Sequence, residues 1–427
     1  MRILIKGGRV IDPGNCSEYA DIIIADGRIA AVQKSARGVV DPHAFDRVLD
    51  AENCIVVPGL IDLHVHFREP GDEHKETILT GCRAAVRGGF TSVCTMPNTR
   101  PVNDCTQVTE RIHEAGRRAA LAKVYPIAAI SVNLEGRQLS DFKALKAAGA
   151  VGVSDDGCPV ESGHLMRQAL EHAVRHGLRI ISHSEDLRLT GTGVMNQGEV
   201  AQRLGLKGIP NTAESAMVMR DIALSEATGL PLHLAHVSTR ESILAIRNAK
   251  DRGVPVSAET APHYFTLTDE AVVHLGANAK MNPPLRSEDD RLAIRQALAD
   301  GTIDAIATDH APHAAQEKAR PFELAPNGVI GLETSLPVSL KLVSEGVISL
   351  TALVEKMSKN PARILGIENG IRPGLAADIT IIDLNHRFTI DADSFHSKSR
   401  NTPFHGLSVT GSVVATLVDG RLVYEGL

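Results

Sequence analysis

No tryptophan occurs in the 427-residue chain, and aromatic residues make up only 3% of it. A protein that binds single-stranded nucleic acid by stacking bases on aromatic faces is not expected from that composition. The charge balance agrees: 45 basic against 51 acidic residues give a formal net charge of −6, with no basic excess for a phosphate backbone or an anionic membrane. No apolar run approaches the roughly 20 residues needed to span a bilayer. The opening MRILIK runs into strand-like sequence and Gly7-Gly8 without the apolar core expected of a signal peptide. The six cysteines, at 16, 54, 82, 94, 105 and 158, include no CxxC pair and none of the spacing of a disulfide-stapled mini-domain. Reduced thiols and a cytoplasmic location are therefore expected. Two signatures of other enzymes are also missing: no GxSxG elbow or suitably flanked cysteine offers a nucleophile, and no glycine fingerprint follows the first strand.

Histidine, by contrast, is plentiful, with 18 residues. Two stand in the most informative stretch, Asp62-Leu63-His64-Val65-His66-Phe67-Arg68-Glu69-Pro70-Gly71. It follows the apolar run 55–61, which reads as one buried strand because it is short, β-branched and ended by turn residues. Side chains alternate along a strand, so His64 and His66 point the same way. Such a pair suits a metal ion or plain packing equally, and its meaning depends on its company. Arg68 continues the parity and would set a fixed positive charge beside the pair.

The first 57 residues read as all-β, with Asp26-Gly27 turning one strand back on another. The same texture returns in 377–383 and 413–424, where Asp419-Gly420 makes a second such turn. Neither end is long enough for a comfortable core, so a small β-sandwich built from 1–57 plus 371–427 is expected, with 58–370 inserted between them. Inside that insert, β-like runs at 91–96, 123–130, 149–154, 178–182, 230–235, 254–259 and 303–308 follow the opening strand and make eight. Helical periodicity fills the gaps, as at 76–87, 165–176 and 241–252. Eight βα units over about 300 residues indicate an α/β fold of the TIM-type (β/α)8 barrel, whose active site belongs at the C-terminal ends of its strands. An open doubly wound sheet is the alternative.

Ligand-type residues do cluster after those strand ends: His64, His66 and Arg68; Asn98; Asp155 and Asp156; His183; His236; Asp309 and His313. Each alone reads equally as a turn, cap or core residue. Together, at one rim, they indicate a shared site. Four histidines and two aspartates suit zinc and accept manganese or cobalt. Six donors are too many for one tetrahedral ion, so a carboxylate-bridged pair is the better count. Such a pair makes a nucleophile of water and polarises a carbonyl, and metal-assisted hydrolysis or its reversal is the expected reaction. The fork of Arg68, with Asn98 and His313, would select a carboxylate beside a cyclic amide. The long polar connection 311–328 at this rim is expected to order over bound substrate.

These residues resemble the amidohydrolase superfamily. HVHFREPG with GDEHKET (71–77), then MPNTRP, SDDG, ATDHAPH and GLET (331–334), are similar to the bacterial type I dihydroorotases, a resemblance that runs from residue 1 to about 425. It implies a zinc enzyme of pyrimidine biosynthesis that interconverts N-carbamoyl-L-aspartate and dihydroorotate. By matched positions, His64, His66 and Asp309 would hold one zinc, His183 and His236 the other, and Asp156 would bridge them, with Asp155 the nearby alternative. Arg68, Asn98 and His313 would take the substrate carboxylate, and His66 would also border the substrate. Asn282 and the backbone at Asn327-Gly328 would read the ring amides, and Asp309 would be the acid/base. Many relatives bridge their metals through a carboxylated strand-four lysine; no lysine stands between 147 and 206 here, which argues against the hydantoinase branch. Other cyclic-amide hydrolases, allantoinase or hydantoinase, remain alternatives. So does an inactive barrel serving as structural partner of aspartate transcarbamoylase. A homodimer and a transcarbamoylase complex are the partners left open.

Overall fold

The computed structural model describes residues 1–34 and 44–426. Its centre is a ring of eight parallel strands, each hydrogen-bonded to the next in chain order. They are Leu60–Val65, Phe90–Thr95, Lys123–Ala128, Gly152–Val153, Arg179–Ser182, Leu232–Leu234, Val256–Thr260 and Ala305–Ile306, called here strands one to eight. A parallel bridge between Val65 and His310 closes strand eight on strand one, with the His66 N–H donating to His310 O at 2.8 Å. Every residue of strand one is buried, because one face looks into the ring and the other meets the helices. An apolar cluster of Leu63, Cys94, Met96, Ile127, Ile181, Ala235 and Ala305 draws on six strands and so fills the ring's interior. At its N-terminal end sits Ile364, whose carbonyl accepts from Arg179 Nε.

The helices start where the sequence places polar caps. Thr77 accepts from the Thr80 N–H and opens the helix Ile78–Arg87. Inside that helix Gly81 lets Phe67 approach so closely that a Cβ would stand 2.4 Å from its ring, which fixes the loop after strand one. The periodicity at 165–176 and 241–252 corresponds to Gly163–Arg175 and Arg240–Asp251, capped by Ser162 and Thr239.

The termini form one eight-stranded mixed sheet. Ile55–Pro58 is its seam, parallel to Arg2–Asp12 on one side and antiparallel to Ile379–Thr389 on the other. Ile3, Ile5, Ile22, Ile24, Ile379, Ile381 and Leu417 share one apolar cluster within it. The two expected turns meet: Ala377 donates its N–H to Gly27 O and Gly420 donates to Ala377 O. The run 55–61 departs from the single strand expected of it. It divides at Gly59 between the terminal sheet and the barrel, since a Cβ on Gly59 would lie 2.1 Å from Thr91 Oγ1 and the chain crosses there without one.

Candidate active site

At the C-terminal rim, strands one, four, five, six and eight bring together the ligand-type residues. His64 Nε2 lies 3.4 Å from Asp156 Oδ1 and 3.6 Å from Asp309 Oδ1. His66 Nε2 is 3.5 Å from Asp156 Oδ2 and 3.2 Å from Asp309 Oδ1. On the other side of Asp156, its Oδ1 is 3.3 Å from His183 Nδ1 and 3.4 Å from His236 Nε2, while those two ring nitrogens face one another at 2.9 Å. Two groups result, His64/His66/Asp156 and Asp156/His183/His236, the ligand atoms of each lying within 4.8 Å of one another. All are buried, and among the described residues His64 Nε2, which faces both aspartates, has no hydrogen-bond partner. Buried imidazole nitrogens converging on a shared carboxylate fit a divalent cation's donor set. Asp155 turns aside, accepting from Ser131 N at 3.0 Å and from the Ser131 hydroxyl.

Electrostatics keeps the shared carboxylate ionised. Burial pushes the Asp156 carboxyl up, but His64, His183 and His236 outweigh it and hold it well below the usual range. For Asp309 the same opposition, led on the lowering side by His66, again ends below normal. Burial opposes charge on His183 too, yet Asp156 and Glu185 carry its pKa to about 10.

A second layer orients the imidazoles. Asn98 Oδ1 lies 2.9 Å from His66 Nδ1 and Glu185 Oε2 lies 3.0 Å from His183 Nε2, arrangements that leave His66 Nε2 and His183 Nδ1 to the cluster. Glu259, at the end of strand seven, sets Oε1 3.4 Å from His64 Nδ1 and Oε2 3.1 Å from His233 Nε2. Glu259 and Glu185 are not among the residues the sequence singles out, although a carboxylate at a strand's C-terminal end is an available signal. Asn98, expected at a substrate carboxylate, also donates to Asp156 Oδ2 at 3.2 Å.

A cavity of about 210 Å³ opens beside the cluster. It is lined by His66, Arg68, Asn98, Asp156, His183, Asn282, Asp309, His313, Asn327 and Gly328, whereas His64 and His236 stand behind its wall. Arg68, His236 and Asp309 adopt left-handed φ values of 59°, 35° and 48°, strain of the kind that packed surroundings impose at working sites. Arg68 gives Nε to Pro312 O at 3.2 Å, which leaves its Nη groups toward the cavity side shared with His313. His313 Nε2 donates to Asn327 O at 2.7 Å, and burial, then Arg68 and Lys318, push its pKa down to about 2, so it is neutral. Asn282 Nδ2 donates to Glu185 Oε2 at 2.8 Å. Gly328 is already partnered at both ends, its N–H with Lys280 O and its carbonyl with Asn401 and Lys318.

Similarity to known proteins follows the same lines. The amidohydrolase family matches residues 158–424, and the dihydro-orotase-like family matches 53–242. Dihydroorotase of Geobacter sulfurreducens is 55% identical over 427 residues, covering all of both chains. That of Desulforapulum autotrophicum is 54% identical over 425 residues, covering all of this chain and 99% of the relative. The chain belongs to the dihydroorotase family. Dihydroorotases are metal-dependent amidohydrolases, and the two His/Asp groups are of a kind that could hold a metal ion. Among solved structures, L-hydantoinase from Arthrobacter aurescens shares the architecture, with a TM-score of 0.88 at 27% identity over 99% of this chain and 96% of that one. D-hydantoinase from a Thermus species does so with a TM-score of 0.81 at 25% identity, covering 99% and 95%. The dihydroorotase relatives are twice as similar in sequence as these hydantoinases.

Proposed function

We propose that the chain reversibly interconverts N-carbamoyl-L-aspartate and dihydroorotate with two zinc ions, as a step of pyrimidine biosynthesis. It is a hydrolase of cyclic amide bonds, and its substrate is a small molecule. What carries the assignment is one cavity wall that sets the guanidinium of Arg68 next to a cluster of four imidazoles and two carboxylates. In this reading His64, His66 and Asp309 hold one ion, His183 and His236 the other, and Asp156 reaches both. The ions supply, when bound, water acidic enough to act as a nucleophile at neutral pH and polarisation of the ring carbonyl.

Arg68 binds the substrate carboxylate, aided by Asn98, while neutral His313, its one N–H given to Asn327 O, shapes the wall beside it. Asn282 and the Asn327-Gly328 backbone read the ring amide; because Gly328 is already partnered, the Asn327 N–H is the group left to do so. Asp309 Oδ1 faces the histidines, which leaves Oδ2 for proton transfer. In hydrolysis Asp309 takes the proton of the attacking water and delivers it to the ring nitrogen as the C–N bond breaks. In cyclisation it removes a proton from the carbamoyl nitrogen, and water leaves.

The same reading divides the chain into 1–57 plus 371–427 as a composite β unit and 58–370 as the catalytic barrel, with 311–328 closing over substrate. A cytoplasmic setting accords with six unpaired cysteines, and among the described residues no helix is long and apolar enough to cross a membrane. A homodimer, or association with aspartate transcarbamoylase, belongs to this reading and is read out by sedimentation. Metal analysis together with a panel of dihydroorotate, N-carbamoyl-L-aspartate, hydantoin and allantoin tests the assignment. Turnover of the first two with two equivalents of zinc is expected. Turnover of hydantoin or allantoin alone, or of nothing by metal-loaded protein, would replace it with another amidohydrolase or with an inactive structural barrel.

A further inference from the structure

The stretch 319–330 has no helix or strand of its own, yet it carries the Asn327-Gly328 backbone and supplies the carbonyl that holds His313. Two lysines keep it in place. Lys318 is 8% exposed and Lys280 5% exposed, and among the described residues neither forms an ion pair with a carboxylate. Lys318 Nζ donates to Lys280 O at 3.2 Å, Pro326 O at 3.0 Å and Gly328 O at 2.8 Å. Lys280 Nζ donates to Phe322 O at 2.6 Å, Glu323 O at 3.2 Å and Ala325 O at 2.8 Å, and sits 5.1 Å from the centre of the Phe322 ring. An ammonium has three N–H donors, so each lysine is saturated by three main-chain carbonyls. Burying a cation without an acid partner is expensive, and a surface loop has no need of it, since a lysine side chain reaches water easily. Burial, then the neighbouring Lys280, push the Lys318 pKa down to about 7, while the three carbonyls favour its ammonium form, which prevails below that pH.

The geometry ties this arrangement to the site. Six carbonyls converge on two charges, which obliges the chain to wrap around them. Lys280 O also accepts the Gly328 N–H at 2.9 Å, and Asn401 Nδ2 joins Ala311 O to Gly328 O. Gly328, at φ 126°, is thereby pressed against Ala311, where an added Cβ would lie 2.6 Å from the Ala311 Cβ. Beyond this wall lies a second cavity of about 290 Å³, lined in part by Leu275, Lys318 and Asn401, and His313 borders both cavities. A loosened stretch would have space to fall into.

We propose that Lys280 and Lys318 are positioning residues of the active site, their ammonium groups acting as internal templates that hold 319–330 where His313 and the Asn327-Gly328 backbone meet substrate. The inference rests on the dihydroorotase reading of the site. Its test compares Lys318→Met and Lys280→Met with the parent, as full-length metal-loaded protein, by amide hydrogen exchange, metal content and steady-state kinetics on dihydroorotate. Exchange in 319–330 should rise at least about tenfold and KM by about tenfold or more, a floor set by the worth of one of the three charge-assisted bonds removed, with kcat less affected and metal content unchanged. Should Lys280→Met fail to fold, Lys318→Met carries the test, because Lys280 O and Gly328 O keep a second donor in Gly328 N and Asn401 Nδ2. Unchanged exchange in 319–330, or parent-like kinetics despite faster exchange, would overturn the proposal. A parent without dihydroorotase activity would instead overturn the functional reading, a distinct result.

Discussion

Replacing Arg68 by methionine tests the substrate assignment most directly. Methionine keeps much of the side-chain length and occupies the same left-handed backbone at φ 59°, so backbone strain is nearly equal in the two proteins and largely cancels. What is lost is a guanidinium whose Nε is committed to Pro312 O and whose Nη groups remain for a carboxylate. Truncating one member of a desolvated charged pair costs about 2–5 kcal/mol, which corresponds to a fall of roughly 30- to 5,000-fold in kcat/KM for dihydroorotate. Dihydrouracil, the ring without the carboxylate, supplies the control. With that substrate the two proteins should agree within about threefold, since no partner for the guanidinium is present. Arg68→Lys should recover part of the loss, because it restores charge without the fork. Equal falls on both substrates would mean that Arg68 acts through the structure of the rim, and the carboxylate assignment would be abandoned.

Three other substitutions probe different parts of the argument. Asp309→Asn should lower kcat by about 10²- to 10⁴-fold with circular dichroism and Tm close to the parent; a substantial residual rate would mean that another group carries the proton. Glu259→Gln offers one carbonyl oxygen to two imidazole neighbours, His64 and His233, and should weaken metal retention about 10- to 100-fold in a chelator competition. Unchanged retention would show that the His64 ring is oriented by packing alone. Burial holds the His263 imidazole at about 4, against 6.5 when exposed. The unfolded chain therefore takes up this proton first as pH falls from 6.5 to 4, so stability drops through that window, by up to about 3 kcal/mol at its lower end. Urea denaturation at pH 7 and pH 5 should show this slope reduced in His263→Gln, and parallel slopes would remove His263 as its source.

Much of the architecture was legible in the chain itself because it is written in local periods. Period-two and period-3.6 patterns alternate eight times, turn residues such as Asp26-Gly27 and Asp419-Gly420 sit between β-branched runs, and polar caps such as Thr77 and Ser162 stand where helices begin. The alignment of His64 with His66 follows from strand pleating alone, and barrel topology then sends the remaining ligand-type residues to one rim. Other features had no local signal. The run 55–61 is uniformly apolar, and only the approach of Thr91 to Gly59 divides it between two sheets. Glu259 lies 195 residues from His64, and they meet only because the ring closes strand eight onto strand one. Lys280 and Lys318 look in the sequence like ordinary loop lysines, and what buries them is a set of carbonyls with no side-chain identity to read. Periodicity and capping are properties of neighbours along the chain, whereas the facing of a carboxylate on an imidazole, or of a main-chain oxygen on an ammonium, is decided by which distant segments ring closure brings within hydrogen-bonding distance.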